Sequence, residues 1–355
     1  MRHRSLVTGI VVSLVAMLSP APSAVAADSA SASATAKSVP GAAMPTQAGS
    51  TPMTPAKAAP ELTPQAHALE IAGKLGFAKR AMHEVRHAAA ELKDGPLRAA
   101  VEAQLQAPWL PPEAFAYGHH AEAESMLHAA GLLAPESLLA LPPTGVGSFA
   151  AAPGGPCEGG HHGYPGGLAV HEWANLAHAR ALAKVYESVY GVALNDEWLT
   201  AAALWHDTMK AATLPWDASG DCPHREPQLA GTALHHPLGV AAAILRHLPA
   251  PLILVIAAAH APPTKERIGE VCNSLRAAGI IAVGNEQAIP CPPVEPTSPR
   301  LPIEAFVNNS ADSDYAITGA AWSWYASQTP GGWERFAALA QDGSDLAAWQ
   351  RGERK

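Results

Sequence analysis

The sequence predicts an all-α protein, and three observations carry that expectation. Apolar residues recur at helical spacing over 63–92, 168–190 and 196–206, no segment alternates polar and apolar residues as a half-buried strand does, and Gly, Pro and Asn punctuate the runs. At 48% hydrophobic and 15% charged residues over 355 positions, the chain can bury a core and is neither a disordered polyanion nor a fibre.

The elements are justified in chain order. Arg2, His3 and Arg4 precede an apolar run from Leu6 to Leu18, and Ala24-Val25-Ala26 follows as a cleavage site, so residues 1–26 read as a signal peptide. The run is shorter than the roughly 20 residues that span a bilayer, and no other segment is long and apolar enough. The expectation is an exported, periplasmic or secreted protein with no membrane span in the mature chain. Residues 27–62 form a low-complexity linker, since 27 of these 36 residues are Ala, Ser, Thr, Pro or Gly. An N-terminal helical region follows at 63–150, opening with Leu69, Ile71, Leu75, Phe77, Met82 and Val85 at helical spacing.

The main domain is expected at 151–330. A Gly-rich loop from Gly154 to Gly167 leads into a helix from Leu168 to Tyr190, closed by Gly191. Asn195 and Asp196 are cap candidates for the next helix, which carries Trp198, Leu199, Leu204 and Trp205 and ends near His206-Asp207. Further helices begin near His236 and Pro251, 264–300 reads as a polar, Pro-rich excursion, and a long helix runs from about Pro302 to Tyr325. Residues 331–355 form a C-terminal tail with a short helix from Trp333 to Leu339. The tryptophans at 173, 198, 205, 322 and 324 lie in apolar helical stretches and read as core fillers.

The net charge of −8 offers no basic track for a phosphate backbone, which argues against extended nucleic-acid binding. Cys157, Cys222, Cys272 and Cys291 form an even set without CxxC spacing, so two disulfides are expected, with Cys157–Cys222 and Cys272–Cys291 the preferred pairing. The unusual feature is histidine: ten of the 17 lie between 161 and 260. Imidazoles and carboxylates together suit Zn, Fe and Mn, and a helical bundle can gather such ligands from several helices. His206 and Asp207 are adjacent; neighbours on a helix point about 100° apart, so both reach one ion only from a helix end, where the carboxylate can also bridge to a second.

Five segments appear in order: HHGYPGGLAVHEWANLAHA at 161–179, ALWHDTMK at 203–210, HHPLGVAAAIL at 235–245, AAAHAPP at 257–263 and NNSADSDYAIT at 308–318. Together they resemble the HD superfamily of metal-dependent phosphohydrolases. The resemblance implies an HD-type helical bundle over about 158–328 in which His171, His206, Asp207 and a late aspartate hold one metal ion. It further implies that His236 and His260 hold a second, with Asp207 as the bridge. Asp312 is the preferred late ligand, with Asp314 the alternative. The Gly-Tyr-Pro signature of the cyclic-dinucleotide branch is absent after His260, where Ala261-Pro262-Pro263 stands.

The function implied is hydrolysis of a small phosphorylated substrate by one or two divalent ions (Mn, Fe, Zn or Mg), which neutralise phosphoryl oxygens and activate water. Lys210 and His162 are expected beside Asp207 in catalysis, Lys210 meeting phosphate or balancing the acids, and His162 protonating a leaving oxygen. His161, His224 and Arg225 are expected at the rim. His178, His235 and His247 read as surface or satisfied core imidazoles. Three other readings stand beside this one. A di-iron oxygenase would use the same ligand set, a binding module would use the metal only for stability, and a zinc peptidase would use His83-Glu84-Val85-Arg86-His87, which matches HExxH.

Overall fold

The computed structural model describes residues 63–110, 119–143, 145–157, 161–294, 300–313 and 330. The leader, the linker, the tail with its Trp333–Leu339 stretch, Asp314, Trp322 and Trp324 lie outside them. Within them the protein is all-α. The expected helix over 63–92 is two, α1 (Pro64–Lys74) and α2 (Gly76–Ala90), parted at Leu75, whose extended backbone interrupts the helical ladder while its side chain is buried. Thr63 caps α1 through its hydroxyl, which accepts from the Ala66 amide at 3.2 Å, and Pro64 occupies the first turn, where its missing N–H costs nothing. Asp94 caps α3 (Gly95–Gln106) in the same way, and α4 (His119–Ala129) follows.

α5 (Gly167–Tyr190) ends at Gly191 as its spacing predicts. Of the two cap candidates Asn195 is the cap of α6 (Asp196–Trp205), accepting from the Trp198 amide at 3.2 Å, and His206 takes the C-cap position. The chain then turns through Asp207 into the short α7 (Lys210–Thr213). A two-residue hairpin of β1 (Gln228–Leu229) and β2 (Thr232–Ala233) was too short for alternation to reveal; Ala230 and Gly231, both at positive φ, make its tight turn. α8 (His235–Leu245) and α9 (Ala250–Ala257) start within a residue of their expected positions. The sequence reading of 264–300 is corrected: it contains α10 (Ile268–Val283), with Ile268, Val271, Leu275, Ile280 and Ile281 buried. Flanking prolines dominated that composition and hid the helical spacing inside it. A helix α11 covers 303–313, the described part of the expected last helix.

α2 packs on α5, α5 on α6, α6 and α8 on α9, and α10 on α8 and α4. The central helices carry alanine triplets, Ala201 to Ala203 in α6 and Ala241 to Ala243 in α8, all fully buried, and such small residues let helix axes approach. Where α8 passes the end of α6, a Cβ on Gly239 would lie 3.1 Å from the His206 carbonyl, so the glycine of the HHPLG segment is a contact point. Trp205 is wholly buried there and donates from Nε1 to the Gly239 carbonyl at 2.8 Å. Trp205→Phe loses that hydrogen bond and part of the filled volume, and should lower unfolding free energy in urea by about 2 kcal/mol.

Both preferred disulfides are present. Cys157–Cys222 and Cys272–Cys291 span 65 and 19 residues, with Cα atoms 5.5 and 5.1 Å apart. The first ties the Gly-rich loop before α5 to the loop leading into the hairpin. The second fastens the segment after α10 back onto that helix. No described helix is long and apolar enough to cross a membrane.

Candidate metal centre

The site forms where the ends of several helices meet. α5 presents His171, Glu172 and Asn175 on one inward face, because positions four apart stack on a helix. The end of α6 delivers His206 and Asp207, the start of α8 delivers His235 and His236, the turn after α9 delivers His260, and α11 delivers Asp312. α11 is fixed by Asn308 and Asn309, whose amides donate to the carbonyls of Val255 and Ala259 at 3.4 and 2.7 Å. Those bonds set Asp312 opposite His260. Asp207 and Asp312 are both buried.

Two groups of ligand-type atoms result, each within 4.8 Å: His171, His206, Asp207 and Asp312, and Asp207, His235, His236 and His260. Asp207 belongs to both. Its Oδ2 lies 3.0 Å from His171 Nε2 and 3.7 Å from His206 Nε2, while its Oδ1 lies 3.0 Å from His235 Nε2 and 3.1 Å from His260 Nε2. Asp312 also spans the groups, with Oδ1 at 3.2 and 3.3 Å from His171 and His206 and Oδ2 at 3.1 Å from His260 Nδ1. A third grouping joins His161 and His162 to His171.

The donor chemistry suits a cation. Asp207 Oδ1, His235 Nε2 and His260 Nε2 are buried without a hydrogen bond although they lie close together, so the contacts are short in distance but out of line. Buried polar atoms rarely stay so. Imidazole nitrogens around carboxylate oxygens form a donor set suited to Zn, Fe or Mn.

Charge balance shows how tightly the groups are coupled. Burial would raise the Asp207 pKa, yet Lys210, His206, His260 and His235 hold it well below the carboxylate range. Burial opposes a charge on His206, but Glu172 and Asp207 outweigh it and raise the pKa to about 10. Glu172, wholly buried one residue after His171, is pushed up to about 7 by burial, with His206 offsetting only part.

Lys210 donates from Nζ to Asp207 Oδ2 and to the Gly154 carbonyl, the latter at 2.7 Å. Burial opposes its charge and Asp207 more than restores it. Of its two expected roles, this position matches the balancing of acids. His162 sits beside the first group, its ring centroid 5.8 Å from that of His171. Burial, then the charges on His171 and Lys210, lower its pKa to about 3.

His236 is present but differently engaged: its Nδ1 meets the Thr232 hydroxyl and its ring stacks on His260. His247 is exposed, His178 is half-buried, and neither belongs to a ligand-type grouping. His224 pairs with Asp221 at 3.0 Å, and neither it nor the exposed Arg225 joins the groupings. In the HExxH segment His83 and His87 lie on an exposed face of α2 with centroids 6.2 Å apart, and among the described residues no third ligand-type side chain joins them.

Four participants escaped sequence reasoning. His235, read as a surface or satisfied core imidazole, is buried inside the second group. Glu226 binds its Nδ1, Glu172 underlies His206, and the Asn175 amide lies 3.1 to 3.3 Å from His171 Nε2, His206 Nε2 and Asp312 Oδ1. Only Asn175 and Glu172 left a signal, through their positions on the helix face that carries His171.

The comparisons add one relative. Over 100 residues the chain is 34% identical to the dihydroneopterin 2',3'-cyclic phosphate phosphodiesterase of Methanocaldococcus jannaschii. The match takes in 28% of this chain and 39% of that protein, so the chain spans well under half the length of the relative. No family model and no solved structure matches the chain.

Proposed function

We propose that this chain is a metal-dependent hydrolase of phosphate esters of the HD type. The observation that carries the reading is the placement of Asp207, whose two oxygens face two separate sets of imidazoles. In this reading His171, His206, Asp207 and Asp312 hold a first divalent ion, and Asp207, His236 and His260 contribute to a second. Bound there, divalent ions neutralise phosphoryl oxygens and acidify water. The relative's printed activity on a cyclic phosphodiester supports phosphorus chemistry and makes cyclic phosphodiesters the first substrates to try.

The chain's own residues supply the rest. Lys210 locks Asp207 and anchors the loop at Gly154, keeping the carboxylate still. Neutral His162 offers an N–H to a substrate oxygen beside the first ion. The two disulfides, which persist in oxidising compartments, and the leader sequence support export, so the substrate is a small phosphorylated compound met outside the cytoplasm.

The test is hydrolysis by the mature protein, made with its disulfides formed, on phosphomonoesters, linear phosphodiesters and 2',3'-cyclic nucleotides. Each is assayed after chelation and after restoring Mn, Fe, Zn or Mg singly. The expected result is turnover of at least one class that disappears on chelation and returns with a particular ion. Iron-dependent oxygen consumption without phosphoester cleavage replaces this reading with the oxygenase. A lower melting temperature on chelation, with no turnover anywhere, replaces it with the binding module.

A further inference from the structure

We infer that His235, held in place by Glu226, is a ligand of the second metal ion, so that this ion sits among three imidazoles and one oxygen of Asp207. The inference rests on the two-ion reading of the proposed function and changes its ligand set.

The argument begins with the proton on His235. Its Nδ1 lies 2.7 and 2.8 Å from the two oxygens of Glu226, and its backbone amide donates to the same carboxylate at 3.3 Å. A carboxylate gripping Nδ1 fixes the hydrogen there and leaves the Nε2 lone pair directed away, which is how carboxylates orient metal-binding histidines.

Nε2 then points at the shared carboxylate. It lies 3.0 Å from Asp207 Oδ1, buried and out of line for a hydrogen bond, and His260 Nε2 approaches the same oxygen at 3.1 Å under the same conditions. His236 completes the set from the next position, its Nδ1 engaged by Thr232, its neighbour in the hairpin. Adjacent residues within a helix diverge by about 100°, but both reach this point because they occupy the first turn of α8, at the open end of the helix. Lone pairs converging on one point repel one another, and a cation between them removes that repulsion. A set so rich in imidazole selects a first-row transition ion such as Zn or Fe over Mg or Ca, which prefer oxygen.

Glu226 reaches His235 because of the chain around it. It lies four residues after Cys222, whose disulfide to Cys157 pins this loop to the one that carries Gly154 and His162. The two walls of the site are thus covalently joined.

The test counts ions rather than turnover. Metal-free mature protein is titrated with Co(II), followed by its visible absorption, and with Zn(II) against a chelating indicator, and the loaded protein is analysed for metal content. Wild type is expected to bind two ions. His235→Ala is expected to keep one ion, and Glu226→Gln to weaken the second about 10–100-fold while leaving the first unchanged. Glu226→Gln alters neither a ligand nor the size of the side chain, so it carries the test if His235→Ala fails to fold. If both variants bind the wild-type number of ions with wild-type affinity, His235 is not a ligand. If wild type itself binds no metal, the proposed function and this inference fall together, whereas two ions retained in His235→Ala overturn this inference alone.

Discussion

Asp207→Asn should abolish metal-dependent hydrolysis, with kcat/KM falling by about 10³-fold or more. The substitution keeps the size of the side chain and removes a charge whose two oxygens face both groups. Loss of an ion that stabilises developing charge is worth several kcal/mol, and each 1.4 kcal/mol is about tenfold in rate. Stability should fall as well. Lys210 is wholly buried and its ammonium is held by Asp207, so the variant leaves an unbalanced cation inside the protein. Breaking such a buried pair costs about 3–5 kcal/mol, reduced here to the extent that neighbouring imidazoles shed protons. Elemental analysis should show fewer ions per chain than wild type, and steady-state kinetics on the substrate class that wild type cleaves should show the rate loss. Wild-type metal content with wild-type turnover would remove Asp207 from the centre of the proposal.

The site was partly legible in the sequence, and what was hidden follows a physical pattern. His171, the His206-Asp207 pair, His260 and Asp312 stood out because each falls at its place in an ordered set of segments, and the structure groups His171, His206, Asp207 and Asp312 together and His260 with Asp207. Asp312 and Asp314 could not be separated on periodicity; the backbone puts Asp312 against His171 and His260, and Asp314 lies outside the described residues. Glu226 was invisible because its role depends on a loop path and a disulfide rather than on spacing. His235 was read as a surface or satisfied core imidazole because a helical repeat favours one face, while the first turn of α8 places both His235 and His236 among the ligand-type atoms around Asp207. The reading of 264–300 as a polar excursion failed at α10 for a related reason. The averaged composition of 264–300 is set by its prolines, whereas the burial is set by Val271, Leu275 and Ile281 within it.

Gly167→Ala should be among the most destabilising single-methyl additions in the chain, about 3 kcal/mol or more by urea denaturation. Gly167 is the first residue of α5, and a Cβ there would lie 1.9 Å from the carbonyl oxygen of His162 and 3.1 Å from the Gly154 nitrogen. Both neighbours are backbone, so no flexible side chain can give way. That same carbonyl accepts the amides of Gly154 and Tyr164 at 2.9 and 2.8 Å, and moving it breaks the folded-back loop that places His161 and His162. Either the loop shifts, and Lys210 loses its anchor at the Gly154 carbonyl, or α5 shifts and carries His171 with it. The variant should therefore lose hydrolytic activity and metal affinity together, although it touches no ligand. Gly73→Ala in α1 and Gly269→Ala in α10 are the controls, since an added Cβ meets nothing within 4 Å at either position. There the methyl only restricts the unfolded chain and favours the helix, and stability should rise by up to about 1 kcal/mol. Should Gly167→Ala behave like those two, the loop before α5 is not the rigid wall of the site that its contacts describe.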